Sequence, residues 1–338
     1  MRPPILAAAL AAAAVASGCG IQGARFALVE DNDVFNLGKG LNTDRDYTQG
    51  AVAALTLSDA DTPAWAKDFA AAIPLYADDS RVHLALTLGQ EMYTPTDIDV
   101  PTLIPDDRPY AGWLWAGIAI QGRAMDDDPD RRRDRMDLLE LDIGVVGPAS
   151  QAEQVQNRWH GEVLGVDEAQ GWDNQIGNEI GGLLTWERRV RLLAGGVHNR
   201  LGWDAIPRFR ARAGNVRVDA TLGADVRIGW NLPRDFGPMA VDGTGLQEGT
   251  DPPEPWLALS GGAAMRAVAH DITLDGNTWK DSHSVDRIPW VPETSAAITL
   301  GWGAFSVSFA QNWNHSEFNE RTRNHRWSRF LFSWAWYF

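Results

Sequence analysis

The sequence predicts an all-β protein: a transmembrane antiparallel β-barrel of twelve strands with a short helix on an extracellular loop. Three observations predict it. The first 19 residues have the form of an export leader, with Arg2 as the positive region, an apolar run over Ile5–Val15 and small residues after it. No later stretch has the apolar length that a spanning helix needs. Between that leader and an aromatic last strand, twelve candidate strands alternate with polar or Gly/Pro-rich breaks.

The leader is expected over residues 1–19, with residues 20–338 forming one outer-membrane barrel domain. Cys19 is the only cysteine, so no intramolecular disulfide can form. Its setting, Ala16-Ser17-Gly18-Cys19, resembles a lipoprotein cleavage box, although position 16 is Ala rather than Leu; plain cleavage nearby is the alternative. Losing the leader removes one positive charge, Arg2, and takes the net charge from -15 to -16. That acidic balance disfavours nucleic acid as a partner.

The candidate strands are Arg25–Val29, Ala51–Ser58, His83–Tyr93, Ala111–Arg123, Asp134–Val146, Ile180–Val190, Ala205–Ala213, Val216–Trp230, Pro255–Ala269, Pro289–Trp302, Ala304–Trp313 and His325–Phe338. The last puts Phe330, Phe332, Trp334, Trp336 and Phe338 on one face, with Leu331, Ser333, Ala335 and Tyr337 on the other. Exposed to water, such a row would aggregate; facing lipid it forms part of the aromatic girdle. A terminal aromatic strand ending in Phe also resembles the assembly signal of Gram-negative outer-membrane barrels, which makes the barrel assembly machinery an expected partner. An open sheet edge in hydrocarbon would leave amides unpaired, so the sheet has to close. An even strand count puts both chain ends on the periplasmic side. The loops after the first, third and fifth strands then converge on the external rim.

Three interruptions punctuate the strands. Ala64–Leu75 carries Trp65, Phe69 and Ile73 at near-helical spacing on a periplasmic connection. Asp126–Arg135 is a charge run, read as a solvated turn. Ala152–Leu164 is a helix on an external loop, opened by Ser150 with Glu153 three residues on, a capping-box spacing. Gln156 and His160 lie four apart and share one helical face.

The chemistry concentrates in the first loop, where Glu30-Asp31-Asn32-Asp33-Val34-Phe35 is followed by Asn42-Thr43-Asp44-Arg45-Asp46-Tyr47-Thr48-Gln49-Gly50. Carboxylates and amides at this density suit a hard cation such as Ca²⁺; an ordinary polar loop is the alternative. No two of the seven histidines have HExxH spacing, and neither a Gly-x-Ser-x-Gly elbow nor a Gly-rich phosphate loop occurs. Ser282-His283-Ser284 admits a phospholipase-like serine hydrolase, but neighbours in a strand point to opposite faces. His160, on the external helix, is the better candidate base: with a carboxylate-held Ca²⁺ it could activate water without a serine nucleophile. A non-enzymatic pore or structural barrel is the third reading.

Several segments together resemble the outer-membrane lipid A 3′-O-deacylases. They are the two first-loop stretches, Gly89-Gln90-Glu91-Met92-Tyr93-Thr94-Pro95, Asp107-Arg108-Pro109-Tyr110-Ala111-Gly112-Trp113, Gln156 through His160, and Gly171-Trp172-Asp173-Asn174-Gln175. Asp271-Ile272-Thr273-Leu274-Asp275-Gly276-Asn277 and Glu317-Phe318 also fit. The resemblance implies a monomeric outer-membrane ester hydrolase that removes the 3′-linked acyloxyacyl group of lipid A within lipopolysaccharide. It also implies a Ca²⁺-dependent site near the outer rim, amid outer-membrane lipids. By position it implies Asn32 and Asp33 at the metal, His160 as the base, Thr48 as a supporting hydroxyl and Arg108 on the substrate, with Gln156 beside them. Where some members carry a basic residue before the arginine, this chain has Asp107.

Overall fold

The computed structural model describes residues 23–33, 45–125, 134–165, 167–197, 200–237, 255–320 and 324–337. The expected leader, Cys19, residues 34–44 of the first loop, residues 126–133 of the charge run, and Phe338 lie outside them. The strands are β1 Gly23–Asn32, β2 Asp46–Leu57, β3 Arg81–Thr94, β4 Ala111–Ala124, β5 Asp134–Val146, β6 Glu179–Arg191 and β7 Leu193–Val197. They continue with β8 Leu201–Gly214, β9 Arg217–Trp230, β10 Trp256–Asp271, β11 Trp290–Trp302, β12 Phe305–Asn314 and β13 His325–Tyr337.

Twelve of these strands close a ring. β1 pairs antiparallel with β13, from Gly23 opposite Tyr337 to Asn32 opposite Ser328. β6 pairs with β8, from Leu183 opposite Gly214 to Arg189 opposite Arg208. β7 continues β6 past a break at Leu192 and pairs with β8, so it lengthens one wall without adding a stave. All twelve expected strands are present. Both ends of the described barrel lie at one rim, here the terminal rim, and the loops after β1, β3 and β5 meet at the distal rim.

Side chains alternate in the sense that lipid requires. On β9, Leu222, Val226 and Ile228 are exposed whereas Thr221, Asp225 and Arg227 are buried. The last strand behaves the same way: Phe332 and Trp334 face out, and Leu331, Ser333 and Ala335 face in. Buried ions persist when paired, and the lumen obeys this rule. Arg208 meets Asp225 at 3.1 Å, Arg266 meets Glu293 at 2.7 Å and Arg329 meets Asp31 at 2.6 Å. Two interior cavities, of about 20 and about 40 Å³, share Glu91 and Arg217 in their walls and have room for water molecules only.

At the terminal rim, residues 231–237 fold back into the bore. Phe236 is buried against Met136 and Ile206. Asp235 pairs with Arg227, and Arg234 reaches Asp134 at 2.5 Å. The carbonyls of Phe236 and Gly237 accept hydrogen bonds from Arg189. Asp134, expected in a solvated turn, is therefore a buried anchor of this plug, since two arginines also need its charge.

Among the described residues three α-helices complete the fold: α1 Ala64–Ala72, α2 Ala152–Trp159 and α3 Ile272–Asp275. α1 packs Ala66 and Ala70 against Tyr76, Val82, Leu84 and Ile120 at the terminal rim. The expected capping box on α2 does not form. Ser150 ends a preceding short turn and donates to the Gly147 carbonyl at 2.6 Å, and the helix is opened by Gln151 in the left-handed region with φ 59°.

Candidate active site

The distal rim gathers the expected residues, beginning at the tip of β1. Asn32 and Asp33 are buried there. The Asp33 amide donates to the Thr48 carbonyl at 3.3 Å, and its Oδ2 accepts from the Arg45 amide at 3.0 Å. Glu30 and Asp31 belong to the wall instead. Glu30 accepts from Gln49 at 2.7 Å, while Asp31 takes Tyr47 Oη at 2.8 Å and the Arg329 guanidinium. Between Tyr47 and Gln49 the register of β2 on β3 slips, so Thr48 is the extra residue of a β-bulge. The bulge turns Thr48 inward, with its Oγ1 2.7 Å from Thr94 Oγ1.

α2 is seated over the mouth by a small apolar core of its own. Ala152 and Val155 pack with Met92, Ile98, Tyr110, Ala169 and Trp172. The approach is close enough that a Cβ on Gly112 would lie 2.2 Å from Ser150 Oγ and 2.4 Å from Ala152 Cβ, so only glycine fits there. Gln90 Nε2 donates to the Ser150 carbonyl at 2.6 Å and fixes the entry to the helix. Gln156 and His160 share its buried face, at 1% and 2% exposure. Trp172 Nε1 donates to Gln156 Oε1 at 2.7 Å, while the buried Gln156 Nε2 has no hydrogen-bond partner among the described residues.

His160 opens a π-helical turn, His160–Leu164, that ends at Gly165 with φ 65°. Its Nδ1 lies 2.8 Å from the Asp167 carbonyl. A carbonyl only accepts, so Nδ1 carries the hydrogen and the lone pair of the neutral ring is on Nε2. That is the tautomer a general base needs.

Arg108 is turned into the protein. At 1% exposure it donates to Thr273 Oγ1 at 2.7 Å and to Glu317 Oε2 at 3.2 Å, and its guanidinium lies 4.7 Å from the Tyr93 ring centroid. Its Nη1 is also 3.8 Å from Asp46. The α3 turn carrying Thr273 is itself pinned. Burial pushes the Asp275 carboxyl up, but hydrogen bonds from His270 and the Asp271 amide, with the Arg287 charge, hold it below the usual carboxylate range. Asp107, where some family members carry a basic residue, accepts from the Thr96 and Arg108 amides and so braces the loop.

The serine alternative finds no dyad. His283 Nε2 bonds the Asp107 carbonyl at 2.7 Å and Ser282 Oγ accepts from the Asn277 amide. Among the described residues neither Ser282 nor Ser284 hydrogen-bonds His283. Among those residues there is also no group of three or more His, Cys, Asp or Glu side chains placed to hold a metal. Ca²⁺ accepts amide, hydroxyl and backbone oxygens beside carboxylates, so the oxygen-only donors at Asn32, Asp33 and Thr48 fit it in kind.

A family model described as "Outer membrane protein LpxR" matches residues 5–336. The chain belongs to the LpxR family. It is therefore an outer-membrane protein, its terminal rim periplasmic and its distal rim external. Among solved structures it is similar to LpxR from Salmonella typhimurium, at 21% identity and a TM-score of 0.72, over 92% of this chain and 99% of that one. The beta domain of the Bordetella autotransporter BrkA aligns at 8% identity and a TM-score of 0.42, over 94% of this chain and all of that one. No curated protein matches.

Two residues of this LpxR-family rim escaped the sequence reading of the site. Asp46 lies in the first-loop segment Asp44–Gly50, whose sequence carries no sign of its left-handed backbone. His325, one of seven histidines, joins the site only because β13 closes on β1.

Proposed function

We propose that this LpxR-family protein is an outer-membrane ester hydrolase that removes the 3′-linked acyloxyacyl group from lipid A, with lipopolysaccharide as its partner. The observation that carries the reading is the buried His160, whose Nδ1–H is fixed on the Asp167 carbonyl at the same rim as Asn32, Asp33 and Thr48.

In this mechanism the His160 Nε2 lone pair takes a proton from water as the oxygen adds to the ester carbonyl. The resulting imidazolium returns that proton to the departing sugar oxygen, so ester and water become carboxylic acid and alcohol. The side chains of Asn32 and Asp33 would hold Ca²⁺, which would supply positive charge against the charge developing on the carbonyl oxygen. Gln156 Nε2, whose amide oxygen is occupied by Trp172, donates to the acyl group. Thr48 presents its hydroxyl beside the metal donors, and Arg108 supports the substrate through the loops that it ties together.

Mass spectrometry of lipid A from cells with and without the protein, in Ca²⁺ and in chelator, tests the proposal. The expected result is acyl loss that needs the protein, Ca²⁺ and His160. Unchanged lipid A in Ca²⁺, or full activity in His160→Ala, would overturn it.

A further inference from the structure

Asp46 is the first residue of β2 and one of four described non-glycine residues with positive φ, at 65°. Aspartate tolerates this region better than most residues, but it remains a minor conformation that surroundings must hold. The surroundings are specific. On one side Arg108 Nη1 lies 3.8 Å from Asp46 Oδ1. On the other, His325 Nδ1 lies 3.6 Å from Asp46 Oδ2. His325 is 2% exposed, stacks on Trp327 with ring centroids 5.3 Å apart, and donates from Nε2 to the Tyr47 carbonyl at 3.1 Å. His325 thus contacts two consecutive residues of the turn, bonding the Tyr47 carbonyl and, when its ring carries both protons, pairing with the Asp46 carboxylate.

The turn leads straight into the proposed chemistry. Arg45, just before Asp46, donates its amide to Asp33 Oδ2, and Thr48, two residues after it, is the bulge residue whose carbonyl accepts the Asp33 amide. The orientation of the Asp33 carboxylate and of the Thr48 hydroxyl therefore depends on where the chain runs at Asp46 and Tyr47. Arg108 extends the linkage to Thr273 and Glu317, and Arg266 bonds the other oxygen of Glu317 at 2.7 Å. Four loops of the rim meet in this one cluster.

We propose that Asp46, held between His325 and Arg108, is a positioning residue that sets the geometry of Asp33 and Thr48. The inference rests on the hydrolase reading for its catalytic consequence, but its structural core can be tested without it. In the full-length protein folded in detergent micelles, hydrogen–deuterium exchange would be followed at the Arg45 and Asp33 amides for His325→Ala, Asp46→Ala and Asp46→Gly. Glycine relaxes the left-handed backbone while deleting the carboxylate, so it separates strain from grip. All three should exchange faster at both amides, with residues 227–237 at the other rim unchanged. Wild-type protection in His325→Ala and Asp46→Gly would overturn the proposal whatever the activity.

The second measurement is acyl release from lipid A in Ca²⁺. Misplacement of groups by about 1 Å can cost about 100-fold in rate, so kcat should fall on that scale in His325→Ala while KM changes little. His325→Gln, which can still donate to the Tyr47 carbonyl, should restore much of the loss. Faster exchange with kcat intact would refute the positioning role. A wild-type protein that releases no acyl chain would instead defeat the hydrolase reading, and the exchange result would still decide whether the cluster holds the turn.

Discussion

The two rims of this barrel are both closed, but with different materials. At the periplasmic rim, residues 231–237 enter the bore and are met by charge on every side: Arg227 on Asp235, Arg234 on Asp134, and Arg189 on two carbonyls. At the external rim a helix lies over the mouth on an apolar bed, and polar groups line its underside. Gln156 is bonded through its oxygen and carries a buried amide nitrogen with no hydrogen-bond partner among the described residues. Paired charges hold the plug in one arrangement, whereas a buried donor left unsatisfied costs about 1–3 kcal/mol until something accepts from it. One end is packed as a seal, and the other gathers the residues of the proposed site.

The sharpest way to break that contrast is to replace His160 by Ala. Loss of a general base should lower acyl release by about 100- to 10,000-fold, with no conductance appearing in planar bilayers. A comparable loss from the plug variant Asp235→Ala, measured in the same assay, would mean that the two rims are not functionally separate.

Asp235→Ala should instead disturb the seal. Burial pushes the Asp235 carboxyl up, but the Arg227 charge and hydrogen bond outweigh it and hold it below the usual range. Breaking a buried pair costs about 3–5 kcal/mol, here moderated because Arg227 also bonds Asp204. Ion leak through single inserted barrels is the measurement, and its absence would show that Phe236 and the carbonyl contacts suffice.

Acid should separate the rims in the wild type. A depressed carboxyl contributes its stability fully above the ordinary Asp value of about 3.9, and that contribution is lost as pH falls through the lower folded value. A base must be neutral, so hydrolysis should fade once acid protonates the imidazole. Leak that began before activity was lost would contradict both assignments.

The sequence was legible wherever a period or a motif carried the information. Period-two alternation and the aromatic row at Phe330–Trp334 sufficed for the twelve staves, and strand parity sufficed to bring Asn32, Asp33, Thr48, Arg108, Gln156 and His160 to one rim. What stayed hidden depends on partners distant along the chain. Nothing within Leu232-Pro233-Arg234-Asp235-Phe236 marks it as a plug; charged residues of β5, β6 and β9 draw it inward. The left-handed Asp46 is invisible for the same reason, because its holders stand at positions 108 and 325. Ser150 and Glu153 show the reverse error: a correct local spacing was overruled when Gly112 let the preceding turn settle on β4.

The smallest predicted effect tests how the site differs from the seal in a single bond. Trp172→Phe keeps the ring against Tyr110, 4.8 Å away between centroids, but removes the hydrogen bond to Gln156 Oε1. One such bond contributes about 1 kcal/mol net, about fivefold in an equilibrium. If Gln156 Nε2 serves the acyl group, a side chain freed at its oxygen becomes less well aimed, and KM for lipid A should rise on that scale with the melting temperature little changed. If Gln156 only packs the helix, the same substitution should lower stability and leave KM alone. The sign of that split distinguishes a polar group kept for a ligand from one that merely completes the wall, as the paired Asp235 does in the periplasmic plug.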